Sequence, residues 1–271
     1  MDSGELNRHV VRAHFERAAA GYERAAVLQA EVQARLLERL ELTTITPGRI
    51  LDLGTGTGRA LKPIAEHYPK TEVIGADFAL PMLVRARRQR FRWRRFRCIA
   101  ARAERLPFTD ASFDLVFSNL MLQWCGEPDR VFSEIHRVLG GRALLLFTTF
   151  GPDTLRELRA AWTEADEHTH VSSFIDMHDL GDALVRAGFV EPVMDVEHLT
   201  VTYADARELM RDLKTIGAGN AMAGRARGLT GVRRLAAVER AYEVFRTDGR
   251  LPATYEVVYG TAWTPVRLPR R

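Results

Sequence analysis

The sequence predicts an α/β fold: a mostly parallel sheet with helices on both faces, a helical arm in front and helical insertions behind. Three observations carry this. The short apolar run Ile50-Leu51-Asp52-Leu53 ends in the glycine turn Gly54-Thr55-Gly56-Thr57-Gly58, as expected of a buried parallel strand feeding a helix. A second run, Glu72-Val73-Ile74-Gly75-Ala76-Asp77, closes on an acid 19 residues after Gly58. That is near the ~20-residue spacing at which a carboxylate meets ribose hydroxyls in nucleotide-binding βαβ units. Beyond it, strand-like and helix-like segments alternate, the rhythm of a parallel sheet.

The elements follow in order. Residues 8 to 42 read as helical, with Val10, His14, Phe15, Ala18 and Tyr22 near one face, a break at Gly21 and a second helix from Ala25 to Leu40. This arm, residues 1–45, must pack over the sheet or over its ligand edge. The core, 46–150, continues from the first strand into a helix from Arg59 to His67 and the second strand, Glu72 to Asp77. Then come a helix from Leu80 to Arg90, a strand from Phe96 to Ala101, a turn from Ala103 to Phe108 and a strand from Phe113 to Asn119. A helix from Asp129 to Leu139 and a fifth strand from Arg142 to Phe150 complete it. A helix from Met177 to Ala187 and strands from Val193 to Tyr203 and Thr254 to Ala262 extend the same single domain, residues 1–271. Residues 151–175 and 203–250 are insertions. Long helical connections at the ligand edge of a sheet serve as lids or substrate elements.

Composition sets the bounds. Two cysteines, Cys98 and Cys125, are too few for a disulfide framework and suit a reducing compartment. No Cys/His spacing suggests a metal site, and the expected metal count is none. The N-terminus has no apolar core of a signal peptide, and apolar runs such as Ala143 to Phe147 are strand-length. A cytoplasmic protein is expected. The net charge is +4, and eight arginines crowd between Arg85 and Arg97 around Phe91, Trp93 and Phe96. Such a run suits nucleic acid, anionic lipid or an acidic protein, or is simply a solvated face of the helix after the second strand.

The turn reads G-x-G-x-G, with an acid, Asp52, just before Leu53-Gly54. This resembles the first motif of class I S-adenosylmethionine-dependent methyltransferases, whose sheet is Rossmann-like. NAD binding is left as the lesser reading. The resemblance implies that Asp52, Gly54, Thr55, Gly56 and Gly58 hold the methionine part of S-adenosyl-L-methionine and that Asp77 takes its ribose. Phe78, Ala103, Glu104 and Asn119 would complete the cofactor site. The family's D-A-E-x-L-P-F turn appears here with Arg102 in place of the acid, which removes an acidic contact to the adenine amino group and leaves backbone contacts at Ala103 and Glu104. The usual Pro-Gly-Gly connection is shortened to Leu139-Gly140-Gly141.

Four further stretches resemble the malonyl-[acyl-carrier protein] O-methyltransferases of biotin synthesis, over nearly the whole chain. They are Phe15 to Tyr22, Ser118 to Cys125, Leu213 to Ala218 and Tyr255 to Gly260. The resemblance implies a carboxyl O-methyltransferase that esterifies a malonyl thioester on an acidic acyl carrier protein, or malonyl-CoA. A carboxylate is ionised at neutral pH and attacks without a base, so catalysis would rest on alignment and desolvation. Tyr22, Gln123, Trp124 and His170 would position the substrate, with Asn119 and Ser173 beside them. Tyr22 and Trp124 equally fit core aromatics, and His170 a solvated loop. The family's His-x-x-Arg-Phe stretch reads His170-Val171-Ser172-Ser173-Phe174 here, so the missing cation must come from elsewhere, Arg225 or Arg227, or activity is altered. Carrier steering is expected from Arg225, Arg227, Arg233 and Arg234, ahead of the Arg85 to Arg97 run. Two other readings remain at this point. One is a quinone-type small-molecule C- or O-methyltransferase with a base near Asn119 or His170. The other is a methyltransferase-like assembly factor of a respiratory complex. An RNA methyltransferase is disfavoured, because Ser118-Asn119-Leu120-Met121 stands where an Asn-Pro-Pro-Tyr-type motif would be.

Overall fold

A computed structural model describes residues 7–166, 170–218 and 231–266. The chain opens with helices α1 (Arg8–Ala18), α2 (Tyr22–Ala25) and α3 (Val27–Glu41). Asn7 starts α1 by accepting the N–H of Val10 through its side chain. Then follow β1 (Arg49–Leu53), α4 (Leu61–His67), β2 (Glu72–Asp77), α5 (Leu80–Ala86), the short strands β3 (Arg90–Phe91) and β4 (Arg94–Arg95), and β5 (Arg97–Ala100). The second half holds β6 (Phe113–Ser118), α6 (Pro128–Val138), β7 (Leu139–Phe150), α7 (Arg156–Ala165), α8 (Met177–Arg186), β8 (Val190–Tyr203), α9 (Ala206–Thr215), α10 (Val232–Tyr242) and β9 (Leu251–Trp263).

Seven strands form one sheet in the order β5-β2-β1-β6-β7-β9-β8. The first five are mutually parallel, and β9 is antiparallel to both β7 and β8. Strand β1 lies central, with Ile50, Leu51 and Leu53 buried on both faces, which is why its sequence is a continuous apolar run rather than an alternating one. One face is covered by α3, α4, α7, α9 and α10 through Leu36, Ile64, Leu158, Leu209 and Val238. The other is covered by α6 and α8 through Phe132, Ile135, Leu180 and Leu184. The order along the sheet reverses between β1 and β6, so the carboxyl ends of these strands open a crevice, the place where such sheets bind ligands.

Two local expectations are corrected. The helix after β2 stops at Ala86 rather than Arg90, and the arginine run passes into the β3–β4 hairpin. Closely spaced like charges disfavour a further helical turn, and Arg87 is drawn off to the carbonyl of Cys98. The Leu139-Gly140-Gly141 connection is not a separate turn. It is the start of β7, paired Phe113 to Leu139 across a bulge, with Arg142 taking φ 57°. Both cysteines are free thiols. No helix among the described residues is long and apolar enough to cross a membrane.

Candidate active site

The glycine turn sits at the carboxyl end of β1, and its neighbours fix its shape. The Gly54 and Thr55 N–H groups both donate to the Ala76 carbonyl, at 2.8 and 3.0 Å. Gly54, Gly56 and Gly58 all have positive φ, a conformation that favours glycine. They differ in what a side chain would meet. A Cβ on Gly54 would strike the Met121 side chain at 2.4 Å, and one on Gly58 the Ala86 backbone at 2.9 Å. A Cβ on Gly56 would meet nothing within 4 Å. Gly56 therefore faces open cavity, whereas Gly58 lets α5 approach the turn.

Two carboxylates are buried around this turn. The Asp77 carboxylate accepts the Gly56 N–H at 2.9 Å and the Ala79 N–H at 2.8 Å. Asp52 accepts the Thr55 hydroxyl at 2.5 Å. Burial pushes the Asp52 carboxyl up to about 7, against the Thr55 hydrogen bond and with help from the Asp77 charge. Burial also raises Asp77, against its hydrogen bonds from Ala79, Gly56 and Phe78. Two desolvated anions side by side favour a cationic ligand. Arg59 lies on the same cavity wall. The cavity thus offers an anion, a cation and a bare glycine backbone, a set that fits the zwitterionic amino-acid end and the sulfonium of S-adenosylmethionine.

The helical arm roofs the site. Phe15 of α1 meets Phe78 edge-on at 5.9 Å and Trp124 at 5.2 Å, with Tyr22 at 6.4 Å. Arg8 pairs with Glu127 at 2.8 Å and Glu104 at 3.6 Å, so α1 is tied to the segment after β5 and to the start of α6. Asn119 donates to the Gln29 carbonyl of α3 at 3.0 Å and accepts the Thr148 hydroxyl at 2.8 Å. Arg102 stands 57% exposed and pairs with Glu104 at 3.4 Å.

A second cleft, about 780 Å³ out to its mouth, opens beside the first and is lined from Phe15 to Tyr255 by several elements. Tyr22 and Gln29 line both. The Gln29 side-chain oxygen is buried without a hydrogen-bond partner, and burial raises the Tyr22 phenol above its ordinary value. In the cleft, Gln123 donates to the Leu120 carbonyl at 2.7 Å and accepts the Thr149 hydroxyl at 3.3 Å. His170 stacks on Trp162 with centroids 3.6 Å apart, and its Nε2 lies 2.9 Å from both Asp166 oxygens. Arg234 of α10 reaches the same carboxylate at 3.2 Å. Leu120 and Leu155, both on the cleft wall, hold left-handed φ of 48° and 57°, strain that clusters at functional sites.

The structure brings Tyr22, Gln123, Trp124 and His170 to one cleft, and Asp52, Gly54, Thr55, Gly56 and Asn119 to the adjoining cavity. Gly58, Asp77, Phe78, Ala103 and Glu104 lie off that cavity's wall. Ser173 is exposed and off the cleft wall; its neighbour Ser172 lines the cleft. Neighbouring side chains in an extended segment point to opposite sides, so the pattern alone could not choose between them. Arg225 and Arg227 lie outside the described residues, and Arg234 is committed to Asp166. Sequence reasoning missed Gln29, Gln33, Arg59 and the Asp166–Trp162 support of His170. Gln29 and Gln33 had one available signal, a pair of polar residues at i and i+4 on an otherwise packed helix. Among the described residues, Asp153, His198 and Glu256 form one group of metal-type side chains within 4.8 Å. Glu256 there accepts the Asp153 N–H at 2.6 Å, an ordinary loop contact.

Comparison with known proteins agrees with this geometry. Residues 51–147 match the family model described as a methyltransferase domain. A malonyl-[acyl-carrier protein] O-methyltransferase from Laribacter hongkongensis is 52% identical over 96% of this chain and 91% of its own length. Proteins of that name from Methylovorus sp. and Halorhodospira halophila are 50% and 49% identical, covering 99% and 100% of this chain and 94% and 92% of their own. Among solved structures, the YcgJ protein of Bacillus subtilis matches with a TM-score of 0.61 at 14% identity, over 88% of this chain and all of that one. A phosphoethanolamine N-methyltransferase 2 of Haemonchus contortus, solved with S-adenosylhomocysteine, matches at 0.52 and 18% identity, over 86% of this chain and 52% of that one. At such identities these structures share the fold.

Proposed function

Since the chain belongs to the malonyl-[acyl-carrier protein] O-methyltransferase family, we propose that it esterifies the free carboxylate of a malonyl thioester presented by an acidic acyl carrier protein. The ester would enter biotin synthesis, and malonyl-CoA is the alternative carrier of the malonyl group that accepts the methyl. S-adenosyl-L-methionine is the cofactor. When bound it supplies an electrophilic sulfonium methyl; the carboxylate oxygen–methyl bond forms as the sulfur–methyl bond breaks and a neutral thioether leaves.

The observation that carries the reading is the shared wall. Tyr22 and Gln29 line both cavities, so the two reactants meet there. In this reading Asp52 and Arg59 hold the charged ends of the cofactor's amino-acid part, Asp77 takes its ribose, and Gly56 leaves bare backbone for it to lie against. The unpartnered Gln29 oxygen would offer a buried acceptor on the wall shared by the two cavities. Phe15, Tyr22 and Trp124 exclude water, which raises the effective strength of every charge inside. No proton has to move. His170 is the only basic side chain on the cleft wall among the described residues, and with Nε2 held by Asp166 it keeps Nδ1 for the substrate. In this reading it orients the malonyl carboxylate, a part the absent arginine at position 173 would otherwise play. The described parts of the two insertions contribute Leu155, Leu158, His170, Leu213 and Ile216 to the wall of this cleft.

Incubating the protein with methyl-labelled S-adenosylmethionine and malonyl-acyl carrier protein is expected to give a base-labile methyl ester. At saturating substrate the rate should stay nearly flat from mildly acidic to mildly alkaline pH. A steep rise centred near neutrality would instead require a general base, and would remove the carboxylate as nucleophile.

A further inference from the structure

We propose that the outer face of α9, through Arg211 and Lys214, is the surface on which the acidic carrier protein docks; this rests on the carrier-borne substrate reading above. The malonyl group must enter the cleft while the protein carrying it stays outside, so the docking surface must border the mouth. Helix α9 does so. Leu213, Ile216 and Ala218, at its end, line the cleft, and Leu209 buries the helix in the core.

The charges of α9 are sorted by face. Its acids are spent on local hydrogen bonds: Asp205 accepts the Glu208 N–H at 2.8 Å, Glu208 the Ala204 N–H at 2.7 Å, and Asp212 the Tyr203 hydroxyl at 2.9 Å. Arg207, Arg211 and Lys214 stand at i, i+4 and i+7 and are all exposed, one stripe along the helix. Arg207 is paired with Glu239 of α10. Arg211 and Lys214 make no ion pair among the described residues. The result is a two-turn cationic ridge directly over an apolar cleft wall.

The competing basic surface is in the wrong place. Arg97 pairs with Glu72 at 3.0 Å, and Glu72 is the first residue of β2, at the opposite end from Asp77. The arginine-rich β3–β4 hairpin therefore lies at the far edge of the sheet. Exposed charges act over a Debye length of ~8 Å at physiological salt, too short to guide a protein to the other edge. Arg234, on the right edge, is held by Asp166.

The test compares two substrates of one reaction, malonyl-acyl carrier protein and the uncharged-handle thioester malonyl-N-acetylcysteamine. R211E/K214E is expected to raise KM for the carrier substrate roughly tenfold or more, the scale on which steering charges change association. It should leave kcat, and both constants for the small thioester, unchanged. Wild-type KM for the carrier should rise with NaCl, and that dependence should flatten in the variant. R211Q/K214Q gives the same shift in smaller measure and serves if the reversal variant melts early. R90E/R95E on the hairpin should change nothing. An unchanged carrier KM, equal effects on both substrates, or a larger effect from the hairpin variant overturns the docking surface. If the wild-type protein esterifies neither substrate, the carboxyl-transfer reading itself is what has failed.

Discussion

The two cavities that meet at Tyr22 are built by opposite means. The cofactor side is electrostatic and built around one local turn: Asp52, Gly54, Thr55, Gly56 and Arg59 are close neighbours in the chain, roofed by the arm from Tyr22 to Gln33, and Asp52 and Asp77 are buried carboxyls at that turn. The substrate side is dispersed and mostly apolar, gathering Phe15, Leu120, Trp124, Phe150, Leu158, Leu213 and Tyr255 from six separate segments. A local, charged site fails sharply when one atom is wrong. A dispersed apolar cleft degrades by degrees, because each wall residue supplies only part of the shape. Substitutions should therefore split into two classes, with Tyr22 the place where the classes mix.

The sharpest break is Gly56→Val. The position has φ 54° and open space where the side chain would go, so the new atoms fill the cofactor cavity without striking the protein. Left-handed backbone at a non-glycine costs roughly 1–2 kcal/mol. Cofactor affinity measured by calorimetry should fall more than a hundredfold by that steric block, with the protein still folded. Retained binding would mean that the cofactor does not lie over Gly56.

Asp77→Ala comes next. It removes a charge-assisted acceptor, a loss on the order of 1.5–3 kcal/mol, or tenfold and upwards in affinity. The structure adds a second cost, since the Gly56 and Ala79 N–H groups lose their partner. Melting temperature and affinity should drop together. Unchanged affinity would leave Asp77 a scaffold for the turn and nothing more.

On the other side of the wall, His170→Ala should raise KM for the malonyl substrate about tenfold, the worth of one hydrogen bond to a charged group, and leave cofactor affinity alone. Equal losses in both would show that the cavities are not separable at this residue.

The same contrast explains what was legible in the sequence. The βαβ order, the glycine turn and the acid at Asp77 were readable because local geometry demands particular residues at fixed spacing. Gly58 was readable as a needed glycine but not for its reason, the approach of Ala86 from α5. The cleft was readable only through resemblance. Nothing in the sequence says that Trp162, Asp166 and Arg234 converge on His170, since that depends on how α7 and α10 pack. Ser172 and Ser173 are indistinguishable as letters. The arginine run pointed to a helix face because periodicity was weak there; like-charge crowding resolved it into a hairpin.

The smallest effect expected is one of pH, and it bears on the charged side alone. The Asp52 carboxyl is raised from its ordinary 3.8 to about 7, chiefly by burial. Its raised value means that the folded protein binds more protons than the unfolded chain across that interval. Without cofactor, this group's contribution to stability is therefore fully present below about pH 4 and is lost as pH rises through 7. Cofactor binding runs the other way, because a cationic ligand prefers the ionised carboxylate. Between pH 7.5 and 6.0 the ionised fraction falls roughly eightfold, which bounds the loss of affinity. Asp52→Asn should flatten both trends, with weaker binding throughout. His170 lies in the other cavity, held by Asp166, so His170→Ala should leave the pH dependence of cofactor affinity in place. If that variant abolishes it instead, the titrating charge sits in the substrate cleft and the division at Tyr22 is wrong.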